Sequence, residues 1–147
     1  MSIHIFTIGF AETSAERFFT LLEKAGVKRV VDVRLNNTSQ LAAYSKKEDL
    51  RFFLKRIGKI DYVHLPELAP TQDILDAFKK NKGPWDEYVK AFNALIKSRK
   101  IEKTVDPATL HEGCLLCSEK TPEHCHRRLV VEHLQSHWKD VEVTHLG

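Results

Sequence analysis

Cys114-Leu115-Leu116-Cys117-Ser118-Glu119-Lys120-Thr121-Pro122-Glu123-His124-Cys125-His126-Arg127-Arg128-Leu129-Val130 is the stretch whose reading decides the fold. Residues 114–117 are wholly apolar, which is how a short strand buried on both faces reads. A polar loop with Pro122 follows. From His126 the pattern changes period: Leu129, Val130, His133 and Leu134 fall on related faces of a helix, so the spacing predicts a helix over 126–137. A buried strand that passes through a loop into a helix is the repeating unit of α/β proteins.

The same alternation runs outward in both directions. Residues 3–8 read as a strand stopped by Gly9, and residues 29–33 as a second one rich in β-branched side chains. Between them, Thr13 and Glu16 have capping-box spacing, Phe18, Leu21, Leu22 and Ala25 recur at helical spacing, and Gly26 supplies a stop. A loop holding Asn36, Asn37 and Ser39 leads to a second capping-box spacing at Ser45 and Glu48, then to a helix with Leu50, Phe53, Leu54 and Ile57 inward, closed by Gly58. Residues 61–65 form a third strand ended by Pro66, and residues 67–71 read as loop. Helices are expected over 73–80 and 85–97, separated by Lys82-Gly83-Pro84, and a last strand over 141–145. Strands separated by helices mean right-handed crossovers. The expectation is a single domain over 1–147, a Rossmann-like three-layer αβα sandwich with a mainly parallel sheet of about five strands.

Composition narrows the class. At 147 residues the chain can bury a real core, and 42% hydrophobic with 29% charged residues is an ordinary globular balance. A net charge of +3 permits phosphate contact without demanding it. The start, MSIHIFTIGF, lacks the features of a signal peptide, and no apolar stretch approaches the ~18 residues of a membrane span. A cytoplasmic protein with reduced cysteines and no membrane association is expected.

In parallel sheets, ligands bind beyond the carboxyl ends of the strands. That edge gathers Gly9 and Phe10, Asp32 and Arg34, His64 to Glu67, and Cys117 to Glu119. The helix start near His126 offers unpaired backbone donors and partial positive charge, which suits an anion and also favours a thiolate. Glu119 can act as a base or orient an arginine. Asp32 and Arg34 alternate onto one side of their strand, where they pair with each other or where Arg34 takes an anionic ligand. Zinc is a further alternative, through Cys114, Cys117, Cys125 and His124 or His126, but strand parity sends Cys114 and Cys117 to opposite faces. His133 and His137 stand four apart without an acidic partner pattern and read as solvated or core-edge residues. A phosphatase-type cysteine loop needs an arginine where this chain has Glu123 after Cys117 and Val131 after Cys125. No metal and no cofactor are expected.

Taken together, Thr7-Ile8-Gly9, Asp32-Val33-Arg34, His64-Leu65-Pro66-Glu67-Leu68, Leu116-Cys117-Ser118-Glu119 and Cys125-His126-Arg127 resemble the family called domain of unknown function 488, over essentially the whole chain. The resemblance implies an α/β fold without a settled activity, and some relatives are associated with nucleic-acid functions. Carried over, it marks Asp32, Arg34, His64, Glu67, Cys117, Glu119, Cys125, His126 and Arg127. Two departures stand out: Phe10 occupies the place of a frequent family histidine, and Ala69-Pro70 replaces a frequent Gly-Gly.

The leading expectation is an enzyme acting on a small anionic or phosphate-bearing substrate, with nucleotide-related molecules among the candidates. Cys117, Glu119, Cys125 and His126 would carry its chemistry. Asp32, Arg34, His64, Glu67 and Arg127 would bind the substrate. Two alternatives stand beside it. One is a nucleic-acid or protein binding module using Lys46, Lys47, Arg51, Lys55, Arg56 and Lys59; the other is a zinc-stabilised structural domain.

Overall fold

The computed structural model describes residues 2–36, 46–119 and 122–147. Five strands, β1 (Ile3–Gly9), β2 (Arg29–Asp32), β3 (Asp61–His64), β4 (Gly113–Cys117) and β5 (Val141–His145), form one sheet in the order β3-β2-β4-β1-β5. Every pairing is parallel. Long helices α1 (Ala15–Ala25), α2 (Lys47–Gly58), α3 (Gln72–Lys79), α4 (Trp85–Arg99) and α7 (His126–His137) cover it, with short α5 (Ile101–Thr104) and α6 (Pro107–Leu110) between α4 and β4. The α/β sandwich read from the strand–helix alternation is therefore the fold.

Strand parity divides the core in two. Cys114 and Leu116 of β4 join Phe6, Ile8, Val30 and the inward side chains of α1 and α2 on one face. Leu115 and Cys117 join Ile5, Val31 and the inward side chains of α4 and α7 on the other. Each face buries large side chains completely, among them Phe18 beneath α1 and Phe92 beneath α4.

Local chemistry corrects several boundaries. The N-cap of α1 is Ser14, whose Oγ accepts from Arg17 N at 3.1 Å, and not Thr13, whose hydroxyl donates to Ala11 O. Gly26 ends α1 in the left-handed conformation as its position requires. Gly58 does not close α2; Lys59 does, with φ 54°. Glu112 and Asp140 hold the same left-handed backbone immediately before β4 and β5. The expected cap at Ser45, and Asn37 and Ser39 of the preceding loop, lie outside the described residues. Pro66–Leu68 is a 3-10 turn where loop was expected. Helices α5 and α6 were not foreseen; α6 is started by Asp106, whose carboxylate accepts from Ala108 N, with Pro107 at its first position.

A buried and an exposed phenylalanine set the expected scale of core damage. Phe92→Ala should lower unfolding free energy by about 3–5 kcal/mol, whereas Phe52→Ala, 54% exposed, should change it by no more than about 0.5 kcal/mol. Urea denaturation of both variants measures the difference.

Candidate functional site

Strands β1, β2 and β4 lie side by side, so their carboxyl ends deliver Gly9, Asp32 and Cys117 to one edge. Beyond that edge lies a pocket of about 140 Å³. Arg34, Cys117, Glu119, Cys125 and His126, all marked in the sequence, line it. So do Phe78, Lys79, Tyr88 and His124, brought by α3, α4 and the loop before α7.

The pocket floor is sulfur and imidazole. Cys117 Sγ and His126 Nδ1 stand 3.6 Å apart. The other ring nitrogen, Nε2, lies 2.6 Å from Val33 O. A carbonyl can only accept, so Nε2 carries a hydrogen and Nδ1 is the nitrogen that takes the thiol proton. Burial opposes charge on Cys117, but a hydrogen bond from Cys125, the charge and hydrogen bond of His126 and a backbone bond at Glu119 outweigh it, and its pKa falls well below the ordinary thiol value. Burial likewise opposes charge on His126; the facing Cys117 thiolate prevails and raises it. Cys125 is pushed the other way, by burial first and then by Cys117, and remains a thiol. These directions favour a thiolate–imidazolium pair over a neutral one on the floor, with Cys125 as the thiol beside it. The start of α7 adds its partial positive charge, since Cys125 is the N-cap residue. Burial first, and then the charges of Cys117 and Glu119, keep Tyr88 a neutral phenol.

Arg34 forms the wall. Its Nε and Nη2 each reach an Asp32 carboxylate oxygen at 2.8 Å, and Tyr62 Oη donates to the same carboxylate at 2.5 Å. Asp32 is fully buried, so it holds Arg34 and does not reach the pocket. Phe10 places its ring 5.4 Å from the guanidinium carbon. The position of the frequent family histidine is therefore an aromatic support for Arg34. Lys79 and Glu119 pair at the mouth.

Besides Asp32, three expected binding residues lie outside the pocket lining. His64 Nε2 donates to Arg34 O at 2.8 Å and fixes the wall from behind. Glu67 sits exposed in the 3-10 turn, away from the pocket lining. Arg127 is fully buried beneath the loop, with Nη1 donating to Glu119 O at 2.6 Å and Nε to Thr7 Oγ1 at 3.3 Å. It shapes the site without lining it. Of the residues missed by sequence reasoning, Tyr88 falls within the helix expected over 85–97. Its helical position was clear; its meeting with β4 depends on how α4 crosses the sheet.

Ligand atoms of Cys117, Cys125 and His126 lie within 4.8 Å of one another and could hold a soft ion. Cys114 cannot join them, because it faces the opposite core. The four-ligand zinc set is therefore not formed. On α2, Lys55 pairs with Asp61, Arg51 stacks on Tyr62 and Arg56 on Phe52, so part of the expected basic face is engaged locally. Among the described residues no helix is long and apolar enough to cross a membrane.

A parallel α/β sheet with a cysteine–histidine pair at its carboxyl edge is the class that fold and site define. Residues 14–134 match the model of the family described as Domain of unknown function DUF488. The chain belongs to that family. No curated protein and no solved structure matches it.

Two substitutions probe the architecture. A Cβ on Gly9 would lie 1.5 Å from Glu119 O and 2.9 Å from Arg127 Nη1, so Gly9→Ala should cost about 1–3 kcal/mol or more in chemical denaturation. Asp32→Asn removes the charge that balances a buried guanidinium, and should cost about 3–5 kcal/mol in the same measurement.

Proposed function

We propose that this chain is a cysteine-dependent enzyme acting on a small anionic or phosphate-bearing substrate at the carboxyl edge of its sheet. The observation that carries the reading is the Cys117–His126 pair, with its tautomer fixed by Val33 O. A thiolate is the nucleophilic form of cysteine, and a histidine oriented by a third group is how proteins generate it. Cys117 attacks; His126, holding the thiol proton, can return it to a leaving group. Cys125 steadies the thiolate by donating its own S–H.

The pocket suits a small molecule, since its volume falls below the ~300 Å³ at which drug-sized sites begin. Leu35, Leu75, Phe78 and Tyr88 offer an apolar wall. An anionic group would meet Arg34, and would meet Lys79 by displacing Glu119. That exchange is cheap because both members of the Lys79–Glu119 pair are more than a third exposed, at 47% and 39%.

The test is alkylation of Cys117 by iodoacetamide across pH, read by mass spectrometry. Because the pKa of Cys117 is depressed, its alkylation should remain fast below the ordinary ~8.5 and slow only as pH falls well under that value. His126→Gln should shift the profile upward. Inorganic phosphate should slow the reaction, and Lys79→Ala should weaken that protection. An ordinary thiol profile at Cys117 ends the nucleophile reading, and absence of phosphate protection ends the anionic-substrate part.

A further inference from the structure

The far end of α7 carries a second cluster that the pocket does not use. His133 and His137 are one helical turn apart, so both imidazoles project from the same face. Their rings stack with centroids 4.3 Å apart. Glu102 of α5 arrives opposite them, with Oε1 2.8 Å from His133 Nε2. One ligand atom from each of the three residues lies within 4.8 Å of the others. The two histidines alone read as solvated; the carboxylate comes from a different helix, 31 positions earlier in the chain.

We propose that Glu102, His133 and His137 form a binding site for a borderline divalent transition-metal ion, zinc(II) foremost. Two imidazoles and one carboxylate are a donor set that zinc accepts, with a fourth position left for water. The supporting bonds are already of the required kind. His137 Nδ1 lies 2.9 Å from His133 O, and a carbonyl cannot donate, so Nδ1 carries the hydrogen and Nε2 keeps its lone pair. A metal-binding histidine is held by such a bond from its other nitrogen. Trp138 Nε1 donates to Glu102 O at 2.9 Å and fixes the backbone that presents the carboxylate.

Little has to move. Tetrahedral ligands about 2.0–2.1 Å from zinc stand roughly 3.3 Å apart. His133 and Glu102 already meet within that distance, and the ion replaces the proton shared between them. His137 is exposed and free to turn its ring inward. Occupied, the site ties α5 to α7. It is separate from the pocket, and the reading stands whether or not Cys117 is a nucleophile.

The test is equilibrium dialysis of the full-length protein against zinc chloride, with thermal melts alongside. The C117S/C125S variant silences the thiols of the pocket and should still bind zinc. His137→Ala and Glu102→Gln, made in wild type and in that variant, should each weaken binding by at least the roughly tenfold that loss of even a supporting group costs. Zinc should raise Tm of the C117S/C125S variant by mass action, and adding His137→Ala to that variant should abolish the rise. His137 is exposed, so this comparison does not depend on a core substitution. Zinc binding lost with the thiols, or unchanged by both His137→Ala and Glu102→Gln, overturns the proposal. So does a protein that takes up no zinc.

Discussion

Arg127 carries a permanent positive charge into a place that water does not reach. Burying a guanidinium is costly unless hydrogen bonds compensate it. Here they come from three parts of the chain: Glu119 O in the loop, Thr7 Oγ1 on β1 and Cys125 Sγ at the start of α7. Satisfying this one side chain fixes where the loop after β4 must run. Gly9 belongs to the same arrangement, because only a residue without a side chain lets the Glu119 carbonyl come so close to β1. The pocket's geometry follows from these constraints before any ligand is considered.

The loop path in turn decides the state of the sulfurs. Cys117 and Cys125 have the same chemistry in isolation, yet the surroundings push the pKa of one down and that of the other up. The difference is the imidazole. His126 enters α7 one residue after Cys125 and is aimed at Cys117 by its bond to Val33 O. The carbonyl that sets the tautomer comes from the end of β2, the nitrogen from the start of α7 and the sulfur from the end of β4. Neighbouring strands of a parallel sheet can place groups so distant in sequence within hydrogen-bond reach. The Asp32–Arg34 pair is built alongside on β2, so the wall and the floor share one strand end.

Much of this was legible in the sequence, and the remainder has identifiable physical reasons. The strands showed because short apolar runs in a parallel sheet are buried on both faces, and Gly26 showed because a helix end wants a left-handed residue. Helices α5 and α6 were hidden because four-residue turns are too short to display a period. Ser14 displaced Thr13 as a cap because adjacent hydroxyls look alike until the backbone chooses one. The place of the site could be read, since strand ends converge by topology. The division of labour within it could not. Arg127 looked like a ligand-binding cation at a helix start, and only the packing of the loop over it reveals a buried one. Whether Arg34 paired with Asp32 or stood open was a choice between two side-chain geometries that the same alternation allows. Glu102 is the extreme case: its partners lie on a helix that periodicity places but does not orient against α5.

The left-handed residues at Lys59, Glu112 and Asp140 lead in a different direction. All three sit just before a strand, at the edge of the sheet opposite the pocket. A non-glycine side chain in that conformation carries about 1–2 kcal/mol of strain. At these three turns the tension lies on the side away from the pocket, whereas Glu12 holds the same backbone in the loop after β1, on the pocket side. Glycine at these turns would release the tension while leaving every group around Cys117 where it is. The two edges of the sheet are thus open to separate adjustment, one for durability and the other for reactivity.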